Sequence, residues 1–197
     1  MALKAAMWVH GTIVEAEYPG NLQSSVRKGW GTHFVGKPGT ENWFHIPITT
    51  PVILDDQRLQ LIKVFVFYNT DIPIAAAARP YITDVYVYDG PNKVKEFNSL
   101  PNLAGKHDAA IDGSNSWDVT PHIPVLFGLS LSVHVHFPPS LPPGTSYNYE
   151  TLFTTAGADF TIWRGIWHQE LASALTVESP APGAGLAFHS HSRRHGR

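Results

Sequence analysis

The sequence lacks cysteine altogether and is poor in charge. Because none of its 197 residues is cysteine, disulfide bonds, thiolate metal sites and a cysteine nucleophile are excluded. Lys, Arg, Asp and Glu make up 15% of the chain, against about 25% in an average globular protein. Few residues are therefore available for the salt-bridge ladders of surface helices, which disfavours a helix-rich fold.

Basic clusters and long apolar runs are missing too. The formal net charge is -2, and the longest run of cations is the pair Arg193 and Arg194, so the electrostatic footprint of a nucleic-acid-binding protein is absent. No apolar run reaches the roughly 18 residues that span a bilayer. The N-terminal stretch has no apolar signal region, since Trp8 and Val9 run straight into His10. These absences predict a cytoplasmic protein that binds neither nucleic acid nor membrane.

What is present is a strict alternation over residues 129–137, which read LSLSVHVHF. Successive side chains of a strand point to opposite faces, so this stretch predicts a strand with one apolar face in the core. Its other face displays two imidazoles. The apolar residues are the odd-numbered ones and the polar residues the even-numbered ones, namely Ser130, Ser132, His134 and His136.

The remaining patterns also predict strands separated by Gly- and Pro-rich turns. The run at 59–68 is apolar nearly throughout, which indicates a strand at the centre of a sheet. Pro47 confines its strand to an edge or a bulge. Four glycines in thirteen residues predict a loop over 27–39 that displays Trp30, His33 and Phe34. The predicted strands are 7–18, 42–48, 59–68, 117–120, 149–160 with a bulge at Ala156 and Gly157, and a hairpin over 81–97.

Together these elements predict an all-β fold, an antiparallel β-sandwich of jelly-roll-like form, over residues 1–160. Residues 161–197 form a C-terminal extension. Helical spacing over 166–177 predicts a short helix there. The tail beyond Pro180 has almost nothing to bury, so we expect it to be disordered.

The histidine pair on the predicted strand suggests a metal site. The Cα atoms of His134 and His136 would lie about 6.7 Å apart, which allows both imidazoles to reach one divalent transition-metal ion. His45 or His10 could supply a third ligand, and Asp84 or Asp118 a carboxylate. Jelly-roll barrels of the cupin type use such a strand pair. The simpler interpretation is that both histidines are solvent-exposed polar residues that bind nothing.

Aromatic residues suggest a second kind of site, a surface on which sugar rings or planar ligands stack. Nearby polar side chains could hold the hydroxyl groups of such a ligand. The alternative is that these rings serve only as packing. The candidate ring residues are Trp30, Trp43, Trp117, Tyr86 and Tyr88, and the polar candidates are Asn42, His45, Asp84 and Asn115.

No GxSxG elbow, HExxH motif or P-loop is present, so no catalytic residue can be assigned. We therefore predict a small-ligand or carbohydrate-binding domain without catalytic machinery and without a cofactor. Two enzyme alternatives stay open. One is a cyclase or isomerase whose hydrophobic pocket shapes the substrate, and the other a cupin-like metalloenzyme using His134 and His136. A structural, self-associating homo-oligomer is the third class.

Four short motifs carry a resemblance to known proteins: WVHGT at 8–12, GWGTHF at 29–34, WFHIP at 43–47 and TAGADF at 155–160. By these motifs the chain resembles a family of uncharacterised microbial single-domain β-sandwich proteins, over about residues 7–160. The resemblance implies one β-sandwich domain and carries no activity with it. It also implies that the residues after Phe160 are an extension specific to this chain.

Overall fold

In a computed structural model, residues 2–71, 79–139 and 148–162 are described, and they are nearly all β, as predicted. No helix among them has the length and apolar character needed to cross a membrane. The predicted helix at 166–177 and the predicted tail lie outside these ranges. The elements are β1 Ala5–His10, a 3₁₀ turn Gly11–Ile13, β2 Glu15–Ala16, a 3₁₀ turn Pro19–Asn21, β3 Leu22–Lys28, β4 Gly31–Gly36, β5 Glu41–Ile48, β6 Ile53–Leu54, β7 Gln57–Asn69, β8 Tyr81–Asp89, β9 Asn92–Phe97, β10 Lys106–His107, β11 Ser116–Pro124, β12 Leu129–His136 and β13 Tyr149–Ile162.

The smaller of two antiparallel sheets has five strands in the order β2-β5-β12-β8-β9. The alternating strand β12 is its centre, paired along its whole length with β5 on one side and β8 on the other. The predicted hairpin over 81–97 is present as β8 and β9. β2 pairs with β5 only at Phe44 and His45, so Pro47 lies on an otherwise open edge, as predicted.

The larger sheet is built around β13, which pairs with β7 on one side and with β4 and β1 on the other. β3 continues the sheet beyond β4, while β6, β10 and β11 pair with the far edge of β7. The prediction that 59–68 is a central strand is confirmed by β7. β11 is longer than the predicted strand at 117–120.

Both sheets contribute to one hydrophobic cluster. The odd-numbered residues of β12 and the following Phe137 are all buried, at 4% exposure or less, as the alternation predicts. From the larger sheet β7 and β13 supply the facing side chains. On the other face of β7, Phe65 and Phe67 lie against the ring of Trp8, so the strand is apolar over most of its length. The buried set from β7 and β13 includes Leu59, Leu61, Val64, Val66, Tyr68, Phe153, Ala158 and Phe160.

The prediction of one strand over 7–18 is wrong, because the chain changes sheets there. β1 belongs to the larger sheet and β2 to the smaller, with a 3₁₀ turn between them. The imidazole of His10 accepts a hydrogen bond from the backbone N–H of Thr12 at the start of that turn. Gly11 packs so tightly that a Cβ atom there would lie 2.1 Å from the carbonyl oxygen of Phe153. The glycine therefore permits the crossing.

The predicted loop at 27–39 is also wrong, since β3 and β4 form a hairpin through this region. Two of its four glycines serve close packing. Gly31 adopts a φ of +149°, and Gly36 lies where a Cβ would be 2.3 Å from the ring of Phe137. Phe34 is buried at 2% exposure, whereas Trp30, on the turn, is 42% exposed as predicted.

The bulge predicted at Ala156 and Gly157 lies elsewhere on β13. The register shifts between Phe153 and Thr155 and again between Asp159 and Phe160, and the strand ends at Ile162. Gly157 stays in register and lies between Trp8 of β1 and Phe65 of β7. The rings of Trp8 and Phe65 meet across it, with centroids 4.2 Å apart.

Candidate functional site

The two histidines of β12 lie on the face of the five-stranded sheet that points away from the core, which we call the outer face. Strand register places their neighbours there as well. Trp43 and Asp84 lie opposite His134, and the residues flanking Ser132 are His45 and Tyr86. Most of the candidate ligand-binding and metal-binding residues are thereby brought together: Trp43, His45, Asp84, Tyr86, Tyr88, His134 and His136.

His134 is the most enclosed of the imidazoles, with 14% of its side chain exposed. Its ring stacks on Trp43 at 4.4 Å between centroids and 15° between planes. A bulge in β8 sets both Thr83 and Asp84 beside it, because β8 has one more residue here than β12. Nδ1 of His134 lies 2.8 Å from Thr83 Oγ1 and 3.2 Å from Asp84 Oδ2.

Asp84 determines which nitrogen of His134 carries a proton. Burial raises the pKa of the Asp84 carboxyl, but hydrogen bonds from the Thr83 hydroxyl, the His134 ring and the Ser99 backbone N–H outweigh it, so the pKa is lowered overall. An ionised carboxylate only accepts hydrogen bonds. Nδ1 of His134 lies 3.2 Å from this carboxylate, so Nδ1 is the ring nitrogen that donates to it. In the neutral ring Nε2 is then an acceptor.

Glu41 faces both histidines from the start of β5. Its Oε2 lies 3.5 Å from Nε2 of His134 and 3.5 Å from Nε2 of His136, beyond the range of a good hydrogen bond. His134 Nε2 and His136 Nδ1 are buried atoms without a hydrogen-bond partner in the described chain. The His136 ring stacks on Tyr81 at 5.4 Å and 10°.

His45, the first candidate for a third metal ligand, uses both ring nitrogens within the protein. Nδ1 lies 2.8 Å from Ser132 Oγ, and Nε2 lies 3.0 Å from Glu17 Oε2. Among residues 2–71, 79–139 and 148–162, no group of three His, Asp or Glu side chains is arranged to hold a metal ion. The metal site of His134, His136 and His45 stays a prediction.

The aromatic part of the outer face is centred on Ser132. Trp43 and Tyr86 meet beside it, at 4.6 Å between ring centroids, and leave this outward-facing serine only 4% exposed. Lys93 of β9 places its Nζ 4.2 Å from the centroid of the Tyr86 ring and forms an ion pair with Glu96. Rings, carboxylates and one ammonium group therefore share a single surface.

Several sequence candidates lie away from this face. Trp30 is on the β3–β4 turn of the larger sheet, and Trp117 is buried at 8% exposure near Phe97. The other polar candidates have structural partners elsewhere: His10 caps a 3₁₀ turn, Asn42 bonds the backbone of Tyr18, Asn115 bonds the backbone of its own loop, and Asp118 pairs with Lys63.

Sequence reasoning missed four residues of the outer face: Glu17, Glu41, Tyr81 and Thr83. Glu41 had a usable signal, because it continues the alternation of Trp43 and His45 along β5. Tyr81 alternates less simply with Asp84 and Tyr86, since the bulge at Thr83 lies between them. Glu17 lies beyond the end of β2 and has no such signal.

The chain belongs to a family of unknown function, DUF6623, whose model matches residues 2–157. The resemblance seen in the sequence motifs to an uncharacterised family is confirmed. No curated protein matches the chain.

Proposed function

Because membership of this family assigns no activity, we propose from the geometry of the outer face that the protein is a non-catalytic small-ligand-binding domain whose ligand is a carbohydrate. The observation that carries the proposal is the interleaving of rings and carboxylates on one surface. Trp43 and Tyr86 meet side by side, and Asp84 and Glu41 lie next to the ring of His134. Sugars are bound by such a combination, because their apolar faces stack on rings while their hydroxyls bond carboxylates.

The proposed ligand needs no cofactor. The polar groups of the outer face suffice to orient a polyhydroxylated molecule, since Asp84, Glu41 and the imidazoles offer acceptors in fixed positions. Tyr88, opposite Ser130 on β8, extends the surface along the sheet. The proposed binding site therefore runs across β5, β12 and β8.

A glycan array on the full chain tests this proposal, followed by calorimetry on the best glycan. We expect Trp43→Ala to weaken binding about five- to tenfold, because it removes a stacking surface worth about 1–1.4 kcal/mol. Trp8→Ala is the matched control, since it removes a half-exposed Trp ring from the larger sheet, on the face that points away from the core. Absence of any glycan binding, or equal loss in both variants at unchanged melting temperature, would contradict the proposal.

Self-association is a second candidate, favoured by the loop between β11 and β12. Leu126 and Phe127 are 54% and 65% exposed. The loop is nevertheless firmly held, because the buried carboxylate of Asp89 accepts hydrogen bonds from the backbone N–H groups of Leu126, Phe127 and Gly128 at 2.7, 2.8 and 2.8 Å. A fixed, exposed apolar tip suits a contact between two copies of the chain.

Light scattering decides between a monomer and this homo-oligomer. If the tip mediates self-association, Phe127→Ser lowers the mass at a given concentration, whereas Ile111→Ser, a change of an exposed apolar residue in another loop, leaves it unchanged. A mass equal to one chain at every concentration would exclude this candidate.

We also propose the form of the fold and the extent of the C-terminal extension. The single hydrophobic cluster shared by the two sheets supports a sandwich, and we take its form as jelly-roll-like. Because β13 ends at Ile162, the proposed C-terminal extension begins after that residue rather than after Phe160. The cytoplasmic location, the cyclase or isomerase pocket and the cupin-like metalloenzyme stay predictions from the sequence.

A further inference from the structure

Two hydrogen-bond acceptors face each other on the outer face with no donor between them. Asp84 holds the proton of His134 on Nδ1, so Nε2 of the neutral ring presents a lone pair. The atom opposite is Oε2 of Glu41, at 3.5 Å. Nε2 of His134 is a buried atom, and no hydrogen bond reaches it from the described chain. Buried acceptors are usually satisfied. When the His134 ring is neutral, the described chain supplies no proton between these two atoms, and a donor from outside the chain would satisfy both.

The same carboxylate oxygen lies 3.5 Å from Nε2 of His136, so one carboxylate oxygen and two ring nitrogens converge on a small region. A hydroxyl group offers one hydrogen to such a site, whereas an ammonium group offers three. A charged donor also makes a hydrogen bond roughly twice as strong as a neutral one. The geometry around Glu41 is therefore better matched by an ammonium group than by a sugar hydroxyl.

The charges of the outer face favour the same partner. Two cations near the outer face are already engaged: Lys93 of β9 by Glu96, and Arg27, which belongs to β3 of the larger sheet, by Glu15. Three carboxylates, those of Glu17, Glu41 and Asp84, have only imidazoles as ion partners. With neutral imidazoles these three carboxylates amount to three negative charges that no Lys or Arg of the described chain compensates. A cationic ligand would supply the missing charge.

This surface already holds one ammonium group in the corresponding way. Nζ of Lys93 lies over the ring of Tyr86 and against the carboxylate of Glu96. A cation over an aromatic face is stabilised by the ring quadrupole. Glu41 likewise lies near aromatic rings, because the two histidines beside it stack on the rings of Trp43 and Tyr81.

We infer that the ligand of the outer face carries a primary ammonium group that binds between the carboxylate of Glu41 and the imidazoles of His134 and His136. The preferred ligand is then an amino sugar unit with an aminomethyl group rather than a neutral sugar. The inference rests on the proposed function, and it names the chemical class of the ligand at that site.

Three matched probes test it on the full chain: methyl 6-amino-6-deoxyglucoside, its 6-acetamido derivative and the unmodified methyl glucoside. At pH 7.5 only the first is a cation, since its primary alkyl amine resembles that of lysine. NMR titration follows the imidazole protons of His134 and His136, in parallel samples with and without EDTA. We expect the amine to bind at least tenfold more tightly than either neutral probe.

Glu41→Gln should abolish the preference for the amine. Asp118→Asn is the control, because it removes the same charge from an exposed residue of the larger sheet that pairs with Lys63. Equal affinities for the three probes, no response to any of them, or a response to the amine that EDTA abolishes would each overturn the inference. The glycan array decides the proposed function separately, since it includes neutral sugars.

Discussion

Each sheet carries a pair of contacting aromatic rings on the face that points away from the core, and the residues around the two pairs differ. On the larger sheet Trp8 reaches across Gly157 to Phe65, and on the smaller sheet Trp43 meets Tyr86 beside Ser132. In both cases a small residue on the middle strand lets two rings on the flanking strands touch.

The neighbours of the two ring pairs differ. Trp8 also meets Phe67, edge to face at 5.5 Å, whereas Trp43 stacks on His134, which is surrounded by Asp84, Thr83 and Glu41. The first pair therefore serves packing, and the second lies within a polar network. Aromatic content alone does not mark a binding surface, and the groups around the rings have to be known.

The largest expected effect concerns the middle residue of the larger sheet. Gly157→Ala places a Cβ atom 2.3 Å from the backbone oxygen of Met7 and 2.5 Å from the ring of Phe65. Since β1 cannot keep its pairing at that distance, we expect the free energy of unfolding to fall by about 3 kcal/mol. Urea denaturation measures this change, and a loss below about 1 kcal/mol would show that the rings on this face are not tightly packed.

The polar network formed by Thr83, Asp84 and His134 in the smaller sheet should affect how the free energy of unfolding depends on pH. The pKa of Asp84 is lowered in the folded protein, so its carboxylate stabilises the fold above its unfolded pKa of about 3.9, and this contribution is lost as pH falls through the folded pKa. Asp84→Asn should lower the free energy of unfolding near neutral pH by about 1–2 kcal/mol. Its stability should then depend less on pH below about 4 than that of the unmodified protein.

Urea denaturation at a series of pH values makes the measurement. Asp118→Asn is the control, because that carboxylate is 78% exposed and pairs only with Lys63. Parallel curves for Asp84→Asn and the unmodified protein would mean that the contacts to His134 and Thr83 contribute nothing to stability.

The middle residue of the smaller sheet should matter less than Gly157. Ser132→Ala removes the hydroxyl that contacts Nδ1 of His45 at 2.8 Å, without adding volume. We expect a loss of about 1 kcal/mol, the usual contribution of one hydrogen bond. The same denaturation experiment tests it. A loss as large as that of Gly157→Ala would make the two faces equivalent in packing.

Zinc should have the smallest effect. His45 already bonds Ser132 and Glu17, and no three His, Asp or Glu side chains of the described residues, Glu41 with His134 and His136 included, are arranged to hold an ion. In the full chain with His189, His191 and His195 replaced by Ala, we expect zinc to leave the melting temperature unchanged. A stoichiometric ion by elemental analysis, lost in His134→Ala, would instead support the cupin-like metalloenzyme.

The sequence predicts the face of the sheet on which a side chain lies better than it predicts the residues that this side chain contacts. Alternation over 129–137 placed His134 and His136 opposite the core correctly, because side-chain parity is a local property of a strand. The approach of Glu41 to both histidines depends on the register between β5 and β12, which are joined through long-range pairing. The hairpin at 22–36 was hidden for a related reason, since Gly36 serves the distant ring of Phe137.

The extra residue in β8 shifts the alternation of outward-facing and inward-facing side chains by one position along the strand. Before it Tyr81 points outward and Ile82 inward, and after it Asp84 is outward and Val85 inward, with Thr83 as the additional step. A deletion of this single residue would restore plain alternation and leave every core position of β8 occupied as before. It would remove one of the two groups that orient His134. A one-residue deletion could therefore weaken the polar network around His134 while the core-facing positions of β8 stay the same.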